Sequence, residues 1–270
     1  MCLVGPVADF YNADPSREWD RLQQQRLEWY VTWQYLSRLL EPGSRVLDVG
    51  GGPGRYALAL AALGHHVTLV DLAERNVAFA RAKAEEQGVT VEGLHQGDAR
   101  DLSRFPDGSF DVVLLLGPLY HLIGPEDRDR ALRECLRVLR PAGTCVVAFL
   151  SIWAPLYDTV VPSPEGIGEW RRRLQEGHLR DGIYRPEPDH PIFTEAWFVD
   201  PFLIEQILQP YGLQKIHLVG AEGMVGQSKH RLYQLPEPVL QEWMEFVAET
   251  AESGAALGGS GHLVYFGRKG

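Results

Sequence analysis

The stretch from Arg45 to Asp71, RVLDVGGGPGRYALALAALGHHVTLVD, constrains this chain more than any other, because it reads in succession as strand, glycine turn, helix and strand. Val46, Leu47 and Val49 form a short apolar run rich in β-branched residues, the pattern of a strand buried on both faces of a parallel sheet. Asp48 interrupts it. Gly50, Gly51, Gly52 and Gly54 supply a turn whose backbone can take positive φ and approach a ligand with no Cβ in the way, and Pro53 stiffens it. An alanine- and leucine-rich helix from Arg55 to Leu63 stops at Gly64, and Val67, Leu69 and Val70 make a second strand ending at Asp71.

This is half of a nucleotide-binding βαβ unit, and its ligand can be narrowed by charge. The helix N-terminus and the turn amides favour a carboxylate or phosphate, and an acid closing the second strand can accept from two ribose hydroxyls. Two ligand classes fit. A dinucleotide needs G-x-G-x-x-G, whose third glycine lets helix and strand pack closely, but counted from Gly50 that position holds Arg55. A carboxylate at Asp48 would also repel a pyrophosphate, whereas it suits an ammonium group. A ligand with amino acid, ribose and adenine parts is S-adenosylmethionine. Asp48, Gly50, Gly52 and Gly54 resemble motif I, D-x-G-x-G-x-G, of the class I methyltransferases.

That resemblance implies a cofactor site. Asp48 is expected to help hold the ammonium end, the glycine turn to lie against the amino acid part, and Asp71, followed by Leu72, to take the ribose. Gly97-Asp98-Ala99, after a third strand expected over Val89 to Leu94, resembles the family's acid that accepts from the adenine amino group. Leu116, ending a fourth strand through Val112, and Tyr11 complete the expected cofactor contacts. Leu139-Arg140-Pro141-Ala142-Gly143-Thr144 resembles the L-x-P-G-G turn before strand five, with Ala142 in place of its first glycine, and strand five is expected from Cys145 to Leu150.

Around this unit the rest of the chain is ordered. Trp19, Leu22, Arg26, Trp29, Tyr30, Trp33, Leu36, Leu39 and Leu40 recur at helical spacing, so residues 9–40 are expected as a mainly helical cap that closes the pocket, with Phe10, Tyr11, Glu18 and Arg21 facing it. Gly117-Pro118-Leu119-Tyr120-His121-Leu122 follows strand four, where ligands sit in an open α/β sheet, so Tyr120 and His121 are the catalytic candidates. Methyl transfer from a sulfonium gains mostly from positioning, and a base is needed only for an acceptor that must lose a proton. His121 reads either as that base or as a hydrogen-bonded wall.

Residues 151–198 contain Trp153, Trp170, Trp197 and many prolines, and are expected as a lid on the acceptor side, with Tyr157, Tyr184, His190, Phe193 and Trp197 available to shape a pocket. The last strand, around His262 to Lys269, is expected to insert antiparallel, giving the resemblance's Rossmann-like seven-stranded sheet, order 3-2-1-4-5-7-6, in a single α/β domain over residues 1–270.

A chain of 270 residues with formal net charge −10 has no overall basic field, so no nucleic-acid partner is expected. Three scattered cysteines and the absence of a basic-then-apolar leader or a long apolar run point to the cytoplasm and to no membrane. The histidines form no recognised metal spacing, and no metal is expected. The expected activity is methyl transfer from S-adenosylmethionine to a small molecule, leaving S-adenosylhomocysteine. A protein or RNA acceptor, or a cofactor-binding protein without catalysis, are the alternatives. The acceptor and the oligomeric state are not specified by these residues.

Overall fold

The computed structural model describes residues 6–157, 164–185 and 194–270. Three helices lead in: α1 (Pro6–Ala13), α2 (Pro15–Gln24) and α3 (Arg26–Ser37). The helical cap is thus broken twice. At Asp14-Pro15 the Asp14 side chain accepts from the Arg17 N–H and proline takes the first helical position, so a new helix starts there; Gln25 makes the second break.

The alternating part follows as β1 (Arg45–Val49), α4 (Arg55–Ala62), β2 (His66–Asp71), α5 (Glu74–Gln87), β3 (Gly93–Gln96), β4 (Phe110–Leu115), α6 (Pro118–His121), α7 (Pro125–Val138) and β5 (Leu139–Ser151). Then come α8 (Ile167–Glu176), α9 (His178–Asp181), two short strands β6 (Ile183–Tyr184) and β7 (Ala196–Val199), α10 (Ile204–Leu208) and β8 (Leu213–Gly220). The chain ends with α11 (Lys229–Leu232), α12 (Glu237–Thr250), α13 (Gly254–Gly259) and β9 (His262–Lys269).

The main sheet runs β3-β2-β1-β4-β5-β9-β8, parallel except for β9, which is antiparallel to both β5 and β8. Counted over these seven strands, this is the expected order 3-2-1-4-5-7-6 with the last strand reversed. Two boundaries differ. Strand three begins at Gly93 rather than Val89, because the Val89 N–H returns to the Ala84 carbonyl behind the left-handed Gly88 and the next residues serve to leave the helix. Strand five begins at Leu139 rather than Cys145, and the turn resemblance lies inside it, with Ala142 in the left-handed region at φ 57 where glycine would be unstrained.

The extra strand β7 matters for position. Leu150 and Ser151 pair with Phe198 and Val199, while Leu150 also pairs with His262 of β9. β4 pairs with β5 only as far as Val147, so β7 takes the edge of β5 that β4 has vacated and stands just beyond β4's carboxyl end.

Alternation along the strands sorts the core into two layers. Leu47, Val49, Val113, Leu115, Cys145 and Val147 pack towards α7 and α10, while Val46, Leu69, Val112, Leu114 and Val146 pack towards α3, α4, α5 and α12. Each such fully buried side chain contributes about 1.5–3 kcal/mol of transfer free energy. Asp48, between Leu47 and Val49, is turned into the second layer at only 2% exposure. A carboxylate there is costly unless something pairs with it. Cys135 and Cys145 are buried free thiols. Among the described residues no helix is long and apolar enough to cross a membrane.

Candidate active site

A cavity of about 350 Å³ lies at the carboxyl ends of β1, β2 and β4, bounded by α1–α3 and by the start of β9. Its floor is the glycine turn. Gly50 adopts φ +69 and its N–H donates to the Val70 carbonyl at 2.7 Å; a Cβ there would stand 2.2 Å from Pro118 Cγ. Gly51 needs no unusual φ, but a Cβ on it would fall 2.6 Å from Asp48 Oδ2. The turn is therefore glycine for two reasons, conformation at one position and space at the next. Gly54 stands apart from the cavity: it caps α4 at φ +94, and a Cβ would meet the Ala80 Cβ of α5 at 3.0 Å.

Asp48 and Asp71 both line the cavity and are electrically different. Asp71 accepts from the Gly52 N–H (2.8 Å), the Ala73 N–H (2.9 Å) and Asn76 Nδ2 (3.2 Å), so it ties the glycine turn to the start of α5. Burial still holds its pKa above the usual carboxylate value. Asp48 Oδ2 is buried with no hydrogen-bond partner, and burial, with Asp71 nearby, pushes its pKa up to about 7. An orphaned carboxylate beside a cradle that a Cβ would fill is the arrangement an ammonium-bearing ligand with a ribose would complete, so the residues fit S-adenosylmethionine.

Because an ammonium pairs with the ionised form only, cofactor affinity is expected to rise with pH below about 7 and level off above it, by up to about tenfold per unit. Asp48→Asn should flatten that profile in titrations from roughly pH 6 to pH 8. The sign for stability is opposite. A carboxyl whose folded pKa is raised holds its proton after the unfolded one has lost it, so the unliganded protein loses stability from about pH 4 up to about pH 7.

Leu72, Ala99 and Leu116 line the cavity as expected. Asp98 lines it too, but its carboxylate accepts from Arg100 Nε (3.0 and 3.1 Å) and Nη2 (2.6 Å), an ion pair with the guanidinium that lowers its pKa against its partial burial. Arg100 also reaches Asp127 at 3.1 Å. Any adenine contact at Asp98 shares this carboxylate with an arginine that the sequence pattern did not include.

The roof is the α1–α2 cap. It docks on α5 through Arg75, whose N–H donates to Asn12 Oδ1 at 3.0 Å and whose Nη1 donates to the Asn12 and Ala13 carbonyls. Glu18 and Arg21, a bidentate pair at 2.8 and 2.6 Å, line the cavity, whereas Phe10 is 37% exposed and does not. Tyr11 reaches across to His121 on α6, Oη to Nε2 at 2.9 Å, and the other ring nitrogen lies 3.0 Å from Thr194 Oγ1, just before β7. Thr194 donates to the Glu195 carbonyl, so its oxygen accepts from Nδ1–H and Nε2 accepts from the tyrosine.

Both nitrogens are thus in use, and burial pushes the His121 pKa down to about 4, far from that of a useful base at neutral pH. The geometry favours the wall. Tyr120, also at the cavity, donates weakly to the Leu116 carbonyl at 3.4 Å. His121→Gln is expected to weaken cofactor binding about three- to tenfold, the worth of one hydrogen bond in the roof, without moving the pH profile of turnover. Rate lost with affinity kept would instead mark His121 as the base.

Of the lid aromatics, His190 and Phe193 lie outside the described residues. Tyr157 donates to the Gly258 carbonyl at 2.5 Å, Tyr184 packs on Phe198, and Trp197 packs on Phe149 under the Arg128 guanidinium at 3.9 Å; none of the three lines the cavity.

One group of cavity residues has no counterpart in the sequence pattern. Glu28 of α3 and His262 of β9 line the cavity, and Glu222, 2% exposed just after β8, lies behind His262. One polar side-chain atom from each of the three lies within 4.8 Å of the other two. Burial opposes a charge on the ring, yet Glu28 and Glu222 hold the His262 pKa up to about 9.

Comparison with known proteins agrees with this geometry. Residues 47–147 match a family model described as a methyltransferase domain. A ubiquinone biosynthesis O-methyltransferase of Xanthomonas axonopodis pv. citri is 35% identical over 178 residues, 64% of this chain and 69% of that protein. For the protein of the same description from Maricaulis maris the figures are 34% over 131 residues, 48% of this chain and 50% of that protein, so the chain spans half of its length. Among solved structures, an S-adenosylmethionine-dependent methyltransferase of Methanosarcina mazei shares the fold, with a TM-score of 0.59 and 18% identity over 87% of this chain and 96% of that one.

Proposed function

This chain belongs to the class I S-adenosylmethionine-dependent methyltransferases, and from that premise we propose that it methylates an oxygen atom of a small molecule held inside the cavity, leaving S-adenosylhomocysteine. The bound cofactor supplies a methyl group already activated on a sulfonium. What the chain's own residues must do is orient the two partners and keep water out. Asp71 takes the ribose, Asp48 the ammonium end, and the glycine turn the amino acid part.

The observation that carries the small-molecule reading is the roof. α1 and α2 cover the cavity, and the Tyr11–His121–Thr194 chain fastens the cap to α6 and to Thr194, two residues before β7. An acceptor held beside the cofactor under this roof is enclosed on the side of the cap, which suits a metabolite. Oxygen as the atom methylated follows the O-methyltransferase descriptions of the relatives from Xanthomonas and Maricaulis. Thr194 and β7 are assigned to the acceptor side because β7 stands beyond β4 and brings Thr194 against His121. The buried free thiols Cys135 and Cys145 suit a reducing cytoplasm.

The test is methyl turnover over a panel of hydroxylated and amine metabolites, set against bulk RNA and bulk protein. Turnover on hydroxylated small molecules is the expected result. Turnover confined to RNA or protein would overturn the reading.

A further inference from the structure

Glu222, His262 and Glu28 make a polar chain that ends in the cavity and that the cofactor assignments leave unused. Glu222 Oε1 accepts from His262 Nδ1 at 2.6 Å, and its Oε2 accepts from the His262 backbone N–H at 3.0 Å. Two bonds from one buried carboxylate fix both the ring and the strand that carries it. Nδ1 being engaged, the ring presents Nε2, which has no hydrogen-bond partner among the described residues, on a side chain that lines the cavity. Glu28 Oε2 lies 3.9 Å from Nδ1, is buried, and has no hydrogen-bond partner. One wall of the cavity therefore carries, on neighbouring side chains, an unpaired carboxylate oxygen and a ring whose second nitrogen is a donor when the ring is charged. An unpaired buried carboxylate oxygen carries a desolvation cost that a ligand's donor would relieve.

Resting on the methyltransferase reading above, the geometry points to Glu28 and His262 as the residues that hold the acceptor's hydroxyl, with Glu222 as the positioning residue behind them. The hydroxyl hydrogen bonds to Glu28 Oε2, and the hydroxyl oxygen accepts from His262 Nε2–H. At transfer the O–H proton passes to the Glu28 carboxylate. The oxygen's electron pair forms the new O–CH₃ bond while the S–CH₃ bond breaks and its electrons return to sulfur, so a sulfonium becomes a thioether and no further reactant is needed. A carboxylate is a weak base, and the charged ring favours an oxyanion, so the chemistry suits an acidic hydroxyl such as a phenol over an aliphatic alcohol or an amine. Three groups face the ring: Glu28 from α3, Glu222 after β8, and Lys229 from α11, the last opposing its charge.

The test uses para-cresol and its methyl ether, which share a shape but differ in the hydroxyl, titrated into protein saturated with S-adenosylhomocysteine. Wild type is expected to prefer the cresol by about tenfold or more, the worth of a hydrogen bond to a charged group. Glu28→Gln and His262→Gln should bring that preference to within a few-fold while S-adenosylhomocysteine still binds as in wild type. His262→Gln leaves Glu222 buried and unpaired, so the double variant Glu222→Gln/His262→Gln, which removes the pair together, guards against loss of the fold. In Glu222→Gln the titration midpoint of the His262 ring, followed by nitrogen NMR, should fall together with the preference.

An unchanged preference in variants that still bind the product would overturn the inference. So would a wild type that does not bind the cresol, or binds it only with added zinc. If neither S-adenosylmethionine nor its product binds wild type, it is the methyltransferase reading that has failed.

Discussion

Asp71→Ala should lose at least a hundredfold in affinity for S-adenosylhomocysteine. Each hydrogen bond to a charged group is worth about 1.5–3 kcal/mol, and in the reading above this carboxylate serves two ribose hydroxyls. The variant should also melt lower. The Gly52 and Ala73 N–H groups and Asn76 Nδ2 all donate to Asp71 in the unliganded protein, so truncation leaves them without their acceptor and loosens the turn from α5. Asp71→Asn keeps the volume and part of the accepting capacity and should fall between the two. Calorimetric titration with the product, beside thermal melts, checks both effects. An Asp71→Ala protein that binds the product as wild type does would remove the ribose assignment.

The second large effect is expected at Gly50→Ala, from one methyl group. The position sits at φ +69, a conformation that costs an L-residue about 1–2 kcal/mol. The added Cβ would also lie 2.2 Å from Pro118 Cγ, and overpacking of this kind costs about 1–3 kcal/mol. Pro118 opens α6, the helix that carries Tyr120 and His121, so relief by moving the proline would displace the wall of the cavity and its latch to Tyr11. The expected result is a loss of about 2–5 kcal/mol in denaturant unfolding, together with loss of cofactor binding. Gly64→Ala is the comparison, since a Cβ there meets nothing within 4 Å at a similar φ of +85. It should show the conformational part alone.

The β1–α4–β2 unit was legible because its signals are local: an apolar run, glycines, an alanine-rich helix and an acid at a strand end all fall within Arg45–Asp71. The strand order was legible only through the resemblance that those residues carry. What was hidden arises from contacts between distant segments. Tyr11 and His121 were each singled out, yet nothing in the sequence joins residues 110 positions apart, and it is the bond between them that favours a latch over a base at His121. β7 is four residues of an aromatic stretch, and becomes a strand because β4 ends and leaves an edge of β5 open. Glu28, Glu222 and His262 come from three separate elements, and each alone reads as an ordinary polar residue on a helix, after a strand or at a strand start. Gly54 shows the reverse: it belongs to the motif by spacing and serves the packing of α4 on α5.

The central claim is that Asp48, the glycine turn and Asp71 form a site for S-adenosylmethionine. Titration calorimetry of the wild-type protein with S-adenosylmethionine, S-adenosylhomocysteine and NAD tests it most directly. The expected result is saturable binding of the first two, one per chain, with no heat from NAD; binding of NAD with neither of the others would contradict it.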